Sequence, residues 1–161
     1  MFYKREQYLN HLMELKNKTD LIKLVMGVRG AGKSTVFTLL QDGLLKKGVK
    51  KEDIIHIDLD EEKYSSLAVS SDLLNEIEKE SKNNENIKYL LIDEIQYIKH
   101  YETALDKLMQ SNKYSIYLSS SNRYICSEVF DRLFCAKVEY IFLSPLSLKE
   151  FMEVKDLKDI N

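Results

Sequence analysis

GVRGAGKS, Gly27 to Ser34, carries the glycine-x4-glycine-lysine-serine spacing of a phosphate-binding (Walker A) loop. A bound triphosphate needs a concave bed of backbone N–H groups, and glycines let the main chain curl that tightly. Gly27 and Gly32 hold the spacing, and Gly30 adds a third permissive position. In this pattern Lys33 reaches the β- and γ-phosphates and the Ser34 hydroxyl holds Mg²⁺. The nucleotide-binding stretch is Gly27, Val28, Arg29, Gly30, Ala31, Gly32, Lys33, Ser34 and Thr35. The flanks favour this reading over a plain glycine turn. IKLVM (Ile22 to Met26) is an apolar, β-prone run directly before the loop, and Val36, Phe37, Leu39, Leu40, Leu44 and Leu45 follow at helical spacing. Strand, glycine loop and helix in that order set the free N–H groups of a helix N-terminus against the phosphate.

Outward from the loop, strands and helices alternate. Tyr8, Leu9, Leu12 and Met13 share one face of an amphipathic helix expected over Tyr3 to Leu15. IIHIDLD (Ile54 to Asp60) reads as a strand ending in acids. Ser71 and Asp72 form a polar helix start before Leu73, Leu74 and Ile77. Lys82 to Asn86 is a polar loop, and Tyr89 to Asp93 (YLLID) a buried parallel strand. Ala104, Leu105, Leu108 and Met109 make a further helical face, and Ser115 to Ser121 and Val138 to Leu143 supply two more strands. Such alternation predicts an α/β fold with a parallel sheet and right-handed crossovers.

A second constellation lies in LLIDEIQ, Leu90 to Gln96. The apolar strand delivers Asp93 and Glu94 to one end of the sheet. Asp93 is placed to assist Mg²⁺, and Glu94, one residue on, to orient and polarise a water for attack on the γ-phosphate. The third piece is SSSN, Ser119 to Asn122, at the end of the following strand. A polar side chain there can reach the γ-phosphate or the attacking water: the serines are flexible donors, and Asn122 has an amide of fixed geometry and is preferred.

The 161 residues make one domain's worth of chain, large enough to bury a core without disulfides or metals. A net charge of -2 argues against bulk nucleic-acid binding. Cys126 and Cys135 make no metal-ligand pattern, and His11, His56 and His100 are scattered. Without a signal peptide or an apolar run long enough for a membrane, the expected setting is the cytoplasm.

Taken together, the loop, the DEIQ strand and the serine-asparagine turn resemble AAA+-type ATPases of the P-loop NTPase class. More narrowly, the chain resembles a prokaryotic family of AAA-domain ATPases with an Arg-x-x-Tyr helix, a GVRRxGKST loop, a DEIQ strand, a GSN sensor turn and a PLSFKEF close. Here those positions read Arg5 to Tyr8, GVRGAGKST, LIDEIQ, SSSN and PLSLKEF. The resemblance implies a three-layer α/β/α sandwich with a five-stranded parallel sheet in the order 5-1-4-3-2, and ATP with Mg²⁺ in the site. It implies that Asn122 is the sensor and that Arg5 and Tyr8 lie near the adenine or ribose, where an ordinary helix face is the alternative. Ser120 replaces the sensor-turn glycine, and LFCAKVEY (Leu133 to Tyr140) stands where the family has Leu-x-Gly-Arg-Tyr. Lys137 or Arg132 would have to serve for that arginine, and lysine lacks the planar fork. The lid and nuclease-like C-terminal domain of relatives would be absent from a chain ending at Asn161, so a homo-oligomer or a further domain is the expected partner. DNA enters only through that family context.

Residues 1–161 are thus expected to form an ATP-binding core that hydrolyses ATP to ADP and phosphate. The alternative is a non-catalytic nucleotide-binding switch or scaffold. A small-molecule kinase fits less well, because the DEIQ strand favours water as nucleophile.

Overall fold

The computed structural model describes residues 5–81, 83–125 and 128–145. Ten elements follow one another: α1 (Glu6–Glu14), β1 (Ile22–Met26), α2 (Lys33–Lys46), β2 (Ile54–Asp58), α3 (Ser70–Glu80), β3 (Lys88–Asp93), α4 (Tyr101–Gln110), β4 (Tyr114–Ser120), α5 (Glu128–Phe134) and β5 (Val138–Phe142). The five strands form one parallel sheet in the order β2-β3-β4-β1-β5, the expected order read from the other edge.

Both faces of the sheet are covered, which is why its central strands are apolar without alternation. On one face Leu24, Ile57, Leu90, Ile92 and Leu118 pack with Leu73 and Ile77 of α3, Leu105 of α4 and Phe130 of α5. On the other, Val25, Leu91, Tyr117 and Ile141 pack with Leu12 of α1 and Phe37, Leu40 and Leu44 of α2. Three layers result. α3 begins as the polar start at Ser71 and Asp72 suggests, with the Asp72 carboxylate accepting the backbone N–H groups of Ala68 and Val69 at 3.1 Å each.

The structure departs from the sequence reading at two elements. α1 spans Glu6–Glu14, shorter than the Tyr3 to Leu15 read from periodicity, and residues 1–4 lie outside the described part. α5 lies outside the sequence reading, since its seven residues hold a single i, i+4 apolar pair at the core, Phe130 and Phe134, whose rings meet at a tilt with centroids 4.9 Å apart. Cys126 and Leu146 to Phe151 of the PLSLKEF close also lie outside the described residues.

Pairing register sets the site. Asp58 lies beside Asp93, Ile92 beside Leu118, and Val25 beside Ser119. The glycine loop after β1, the carboxylates after β3 and the serine turn after β4 therefore meet at the carboxyl edge of the sheet, where open α/β folds bind ligands.

Candidate functional site

The glycine loop is shaped by three separate constraints. Gly30 and Gly32 have φ of +82° and +93°, a region that a side chain disfavours. Gly27 is needed for a different reason: a Cβ there would stand 2.6 Å from the Leu143 carbonyl, because the chain leaving β5 closes onto β1 through Leu143 N–H to Met26 O at 2.7 Å. Gly32 caps α2, whose first residue is Lys33. Val28, Arg29, Gly30 and Ser34 are exposed, Thr35 is half-buried and Ala31 is buried. Lys33 is only 4% exposed, and its Nζ donates to the carbonyls of Gly27 at 3.0 Å and Val28 at 3.3 Å.

The end of β3 supplies that lysine's counter-charge. Glu94 adopts φ +59° and ψ +47°, a left-handed conformation that ends the strand and redirects its carboxylate away from the strand line. Its Oε1 lies 3.1 Å from Lys33 Nζ. Its Oε2 accepts Gln96 Nε2 at 2.5 Å, Ser121 Oγ at 2.7 Å and Ser121 N–H at 3.0 Å. Burial would raise this carboxyl, but the hydrogen bonds of Gln96 and Ser121 and the Lys33 ammonium outweigh it and hold Glu94 below the usual range. Asp93 is the opposite case. It is fully buried, and burial pushes its carboxyl up, with Asp58 and Glu94 adding to the rise and the Ser119 and Ser34 hydroxyls opposing it. Ser119 Oγ donates to Asp93 Oδ1 and accepts the Glu94 N–H at 3.0 Å, which ties the two carboxylates to β4.

The structure thus brings Lys33, Asp93 and Glu94 together, with Ser34 beside Asp93. Asn122 does not join them. It is exposed, and its Oδ1 accepts the Tyr124 N–H at 2.9 Å within its own turn. The residue on Glu94 is Ser121, one position earlier. Arg5 and Tyr8 meet each other, with the guanidinium 5.1 Å from the ring centroid. Arg5 turns onto backbone: Nη1 donates to Ala31 O at 2.8 Å and Nη2 to Ser144 O at 2.6 Å.

Among protein families, the AAA domain model matches residues 19–152, which includes the loop, both carboxylates and the serine turn. The chain belongs to the AAA domain family. Uncharacterized proteins of Haemophilus influenzae and Methanocaldococcus jannaschii are 30% and 29% identical over 95% of this chain. The AAA domain chain covers only 38% and 33% of those relatives. Among solved structures it is similar to a chain of Drosophila ORC bound to DNA, at a TM-score of 0.69 with 14% identity over all of this chain and 47% of the other. C. elegans PCH-2 gives a TM-score of 0.58 at 14% identity over 94% of this chain and 47% of that one. A DNA polymerase III gamma subunit-related protein of Thermotoga maritima gives 0.57 at 15% over 91% and 48%. These likenesses show the fold: this is an AAA+-type P-loop ATPase domain.

An AAA domain of this kind implies a magnesium ion, and the residues present fit one. Asp93 Oδ2 is buried with no hydrogen-bond partner among the described residues, on a carboxylate that burial destabilises and a cation would stabilise. The donors beside it are hard oxygens, the Asp93 carboxylate and the Ser34 hydroxyl. So small an all-oxygen set suits Mg²⁺ completed by water and substrate phosphate. Among the described residues no group of three or more His, Cys, Asp or Glu side chains is placed to hold a metal.

Sequence reasoning passed over Gln96, Ser119 and Ser121 as individual site members. The signal for Ser119 was a polar residue closing a strand that is otherwise buried; the structure sets it beside Val25 in register, next to the loop.

Proposed function

We propose that residues 1–161 are the ATP-binding core of a Mg²⁺-dependent ATPase. The observation that carries the reading is the 3.1 Å contact between Lys33 on the phosphate loop and Glu94 at the end of β3, beside an Asp93 carboxylate oxygen that lacks a partner among the described residues. The loop N–H groups and the N-terminus of α2 would hold the phosphates of ATP. Bound Mg²⁺, held by Ser34 and Asp93, would neutralise charge on the β- and γ-phosphates. Lys33 would exchange Glu94 Oε1 for γ-phosphate oxygens. Glu94, kept ionised by its donors, would orient a water and take its proton as the water oxygen bonds to the γ-phosphorus. The bond to the β-phosphate bridging oxygen breaks, and its electron pair leaves with ADP. Asn122, from its exposed turn, is proposed as the sensor of the γ-phosphate. Val28, Arg29, Gly30 and Thr35 complete the nucleotide bed, with Arg5 and Tyr8 behind it.

The proposed setting is the cytoplasm; among the described residues no helix is long and apolar enough to cross a membrane. Lys137 and Arg132 are both exposed, available to a neighbouring subunit's nucleotide in a homo-oligomer. With so little of the relatives' length spanned, a further domain is proposed to complete the site, and DNA is relevant only through such a domain.

Calorimetry tests the reading. Mg·ATP and Mg·ADP should bind wild type, and Lys33→Ala should weaken both by roughly 10- to 100-fold, the worth of a charge-assisted contact. Glu94→Gln should abolish phosphate release while keeping ATP bound. Turnover unaffected by Glu94→Gln would mean that another group activates the water. Binding without turnover in wild type would make the domain a nucleotide-controlled switch.

A further inference from the structure

The hydrogen bonds around Glu94 have a direction, and that direction assigns a role to Gln96. The Asn122 N–H donates to Ser120 Oγ at 3.0 Å, and the Ser120 proton has two acceptors in reach, Gln96 Oε1 and, at a longer 3.3 Å, Asn122 O. Ser120 Oγ lies 2.7 Å from Gln96 Oε1, which can only accept. The Gln96 amide is oriented from its other end: the Glu94 carboxylate only accepts, so Nε2 faces Glu94 Oε2 at 2.5 Å and Ser121 Oγ at 3.2 Å, and Oε1 faces Ser120. Glu94 Oε2 thus receives three donors, and among the described residues Oε1 has Lys33 as its partner.

We propose that Gln96, aimed by Ser120 and helped by Ser121, is a positioning residue that grips Glu94 by Oε2 and reserves Oε1 for the reacting water. Lys33 occupies Oε1 only until a triphosphate draws it away. The inference rests on the proposed hydrolysis for its consequence but not for its geometry. Three features support it beyond the distances. Glu94 is itself in a left-handed backbone conformation, which needs the surrounding structure to hold it. All three gripping residues lie just past the ends of β3 and β4 or at the end of β4, so their spacing is set by the sheet. Ser120 is itself fully buried, so its hydroxyl is held where it meets the Gln96 amide. The sensor turn and the water-activating carboxylate are thereby joined: a shift of Asn122 toward a phosphate pulls on Ser120, and Ser120 sets Gln96.

The test reads the amide directly. In the ¹⁵N–¹H NMR spectrum of the nucleotide-free protein, the Gln96 side-chain NH₂ should lie outside the usual glutamine region. Its resonance should shift in Glu94→Ala and collapse toward the free position in Ser120→Ala. An amide in the ordinary position that ignores Glu94→Ala overturns the proposal, whatever the turnover. The second reading is kinetic. Gln96→Leu should lower kcat by roughly 10- to 100-fold, the cost of a misplaced catalytic group, with Mg·ADP affinity within about twofold of wild type. Unchanged kcat in Gln96→Leu overturns the positioning role. Equal losses of kcat and ADP affinity would mean a collapsed site, and also overturn it. Should wild type bind nucleotide without turnover, the hydrolysis reading fails, while the amide resonance still decides whether Glu94 is held.

Discussion

Lys23 is the residue whose burial has the clearest consequence in solution. It is the one charge in IKLVM and sits in the interior of the sheet with no exposure. Its Nζ donates to Lys18 O at 2.8 Å, Leu21 O at 3.1 Å and Ser115 Oγ at 3.0 Å, and lies 4.6 Å from the Tyr117 ring centroid. Burial lowers its pKa to about 7, with Asp20 pulling weakly the other way. The unfolded chain keeps the ordinary lysine value near ~10.4, so between these limits the unfolded state binds more protons and stability rises with pH, by up to about 1.4 kcal/mol per unit. Above pH ~10 the trend reverses, because burial raises Tyr64, Tyr89 and Tyr117 in the fold and the unfolded tyrosines ionise first. Urea unfolding at pH 7, 8 and 9 should show the rise, and Lys23→Met should flatten it. A slope that persists in the variant would place the titrating group elsewhere. Two of its acceptors, Lys18 O and Leu21 O, lie close before it in the chain, whereas Ser115 Oγ comes from β4 and is brought near by the fold.

At the scale of elements, what could be read was whatever writes itself locally. The apolar run before the glycine loop and the run ending in Asp93 and Glu94 announce β1 and β3, while the sheet order came only through the family resemblance. Helix α5 is too short to show a period. The choice between Ser121 and Asn122 depends on how the chain turns after β4, which propensity does not settle. Arg5 is the extreme case, since its contact with Ser144 O spans 139 residues. It pins three elements: the start of α1, the glycine loop at Ala31 and the chain leaving β5. Removing a charged donor from two buried or half-buried carbonyls should cost about 1–3 kcal/mol, so Arg5→Met should unfold at lower urea. The same variant distinguishes a loop clamp from a base contact. A clamp shapes the phosphate bed, so binding of ATP and of inorganic tripolyphosphate should weaken alike. If Arg5 touches the base or ribose, ATP alone should weaken. Calorimetry with both ligands on the two proteins separates these outcomes.

For the whole molecule, the site is where several buried ionisable groups gather. Asp93 is buried with an oxygen lacking a partner among the described residues, and Lys33 and Glu94 are almost as deeply buried, so the site sets three ionisable groups close to the core. Buried charges are tolerated when paired and costly otherwise, which makes the ligand part of the folded state's stability. Mg·ADP at 100 times its Kd should stabilise the domain by about 2.7 kcal/mol. For a chain of this length each kcal/mol moves Tm by ~2–4 °C, so the midpoint should rise by about 5–10 °C. Lys33→Ala should lose most of that shift through lost affinity. Asp93→Asn should behave differently: with the buried carboxylate gone, the ligand-free protein should melt no lower than wild type, and the part of the shift that needs Mg²⁺ should disappear. The decisive comparison is ADP with Mg²⁺ against ADP with chelator. A shift in Asp93→Asn that still depends on Mg²⁺ would move the ion away from Asp93, and a ligand-free Asp93→Asn that melts well below wild type would mean that its bond with Ser119 outweighs the cost of the buried charge.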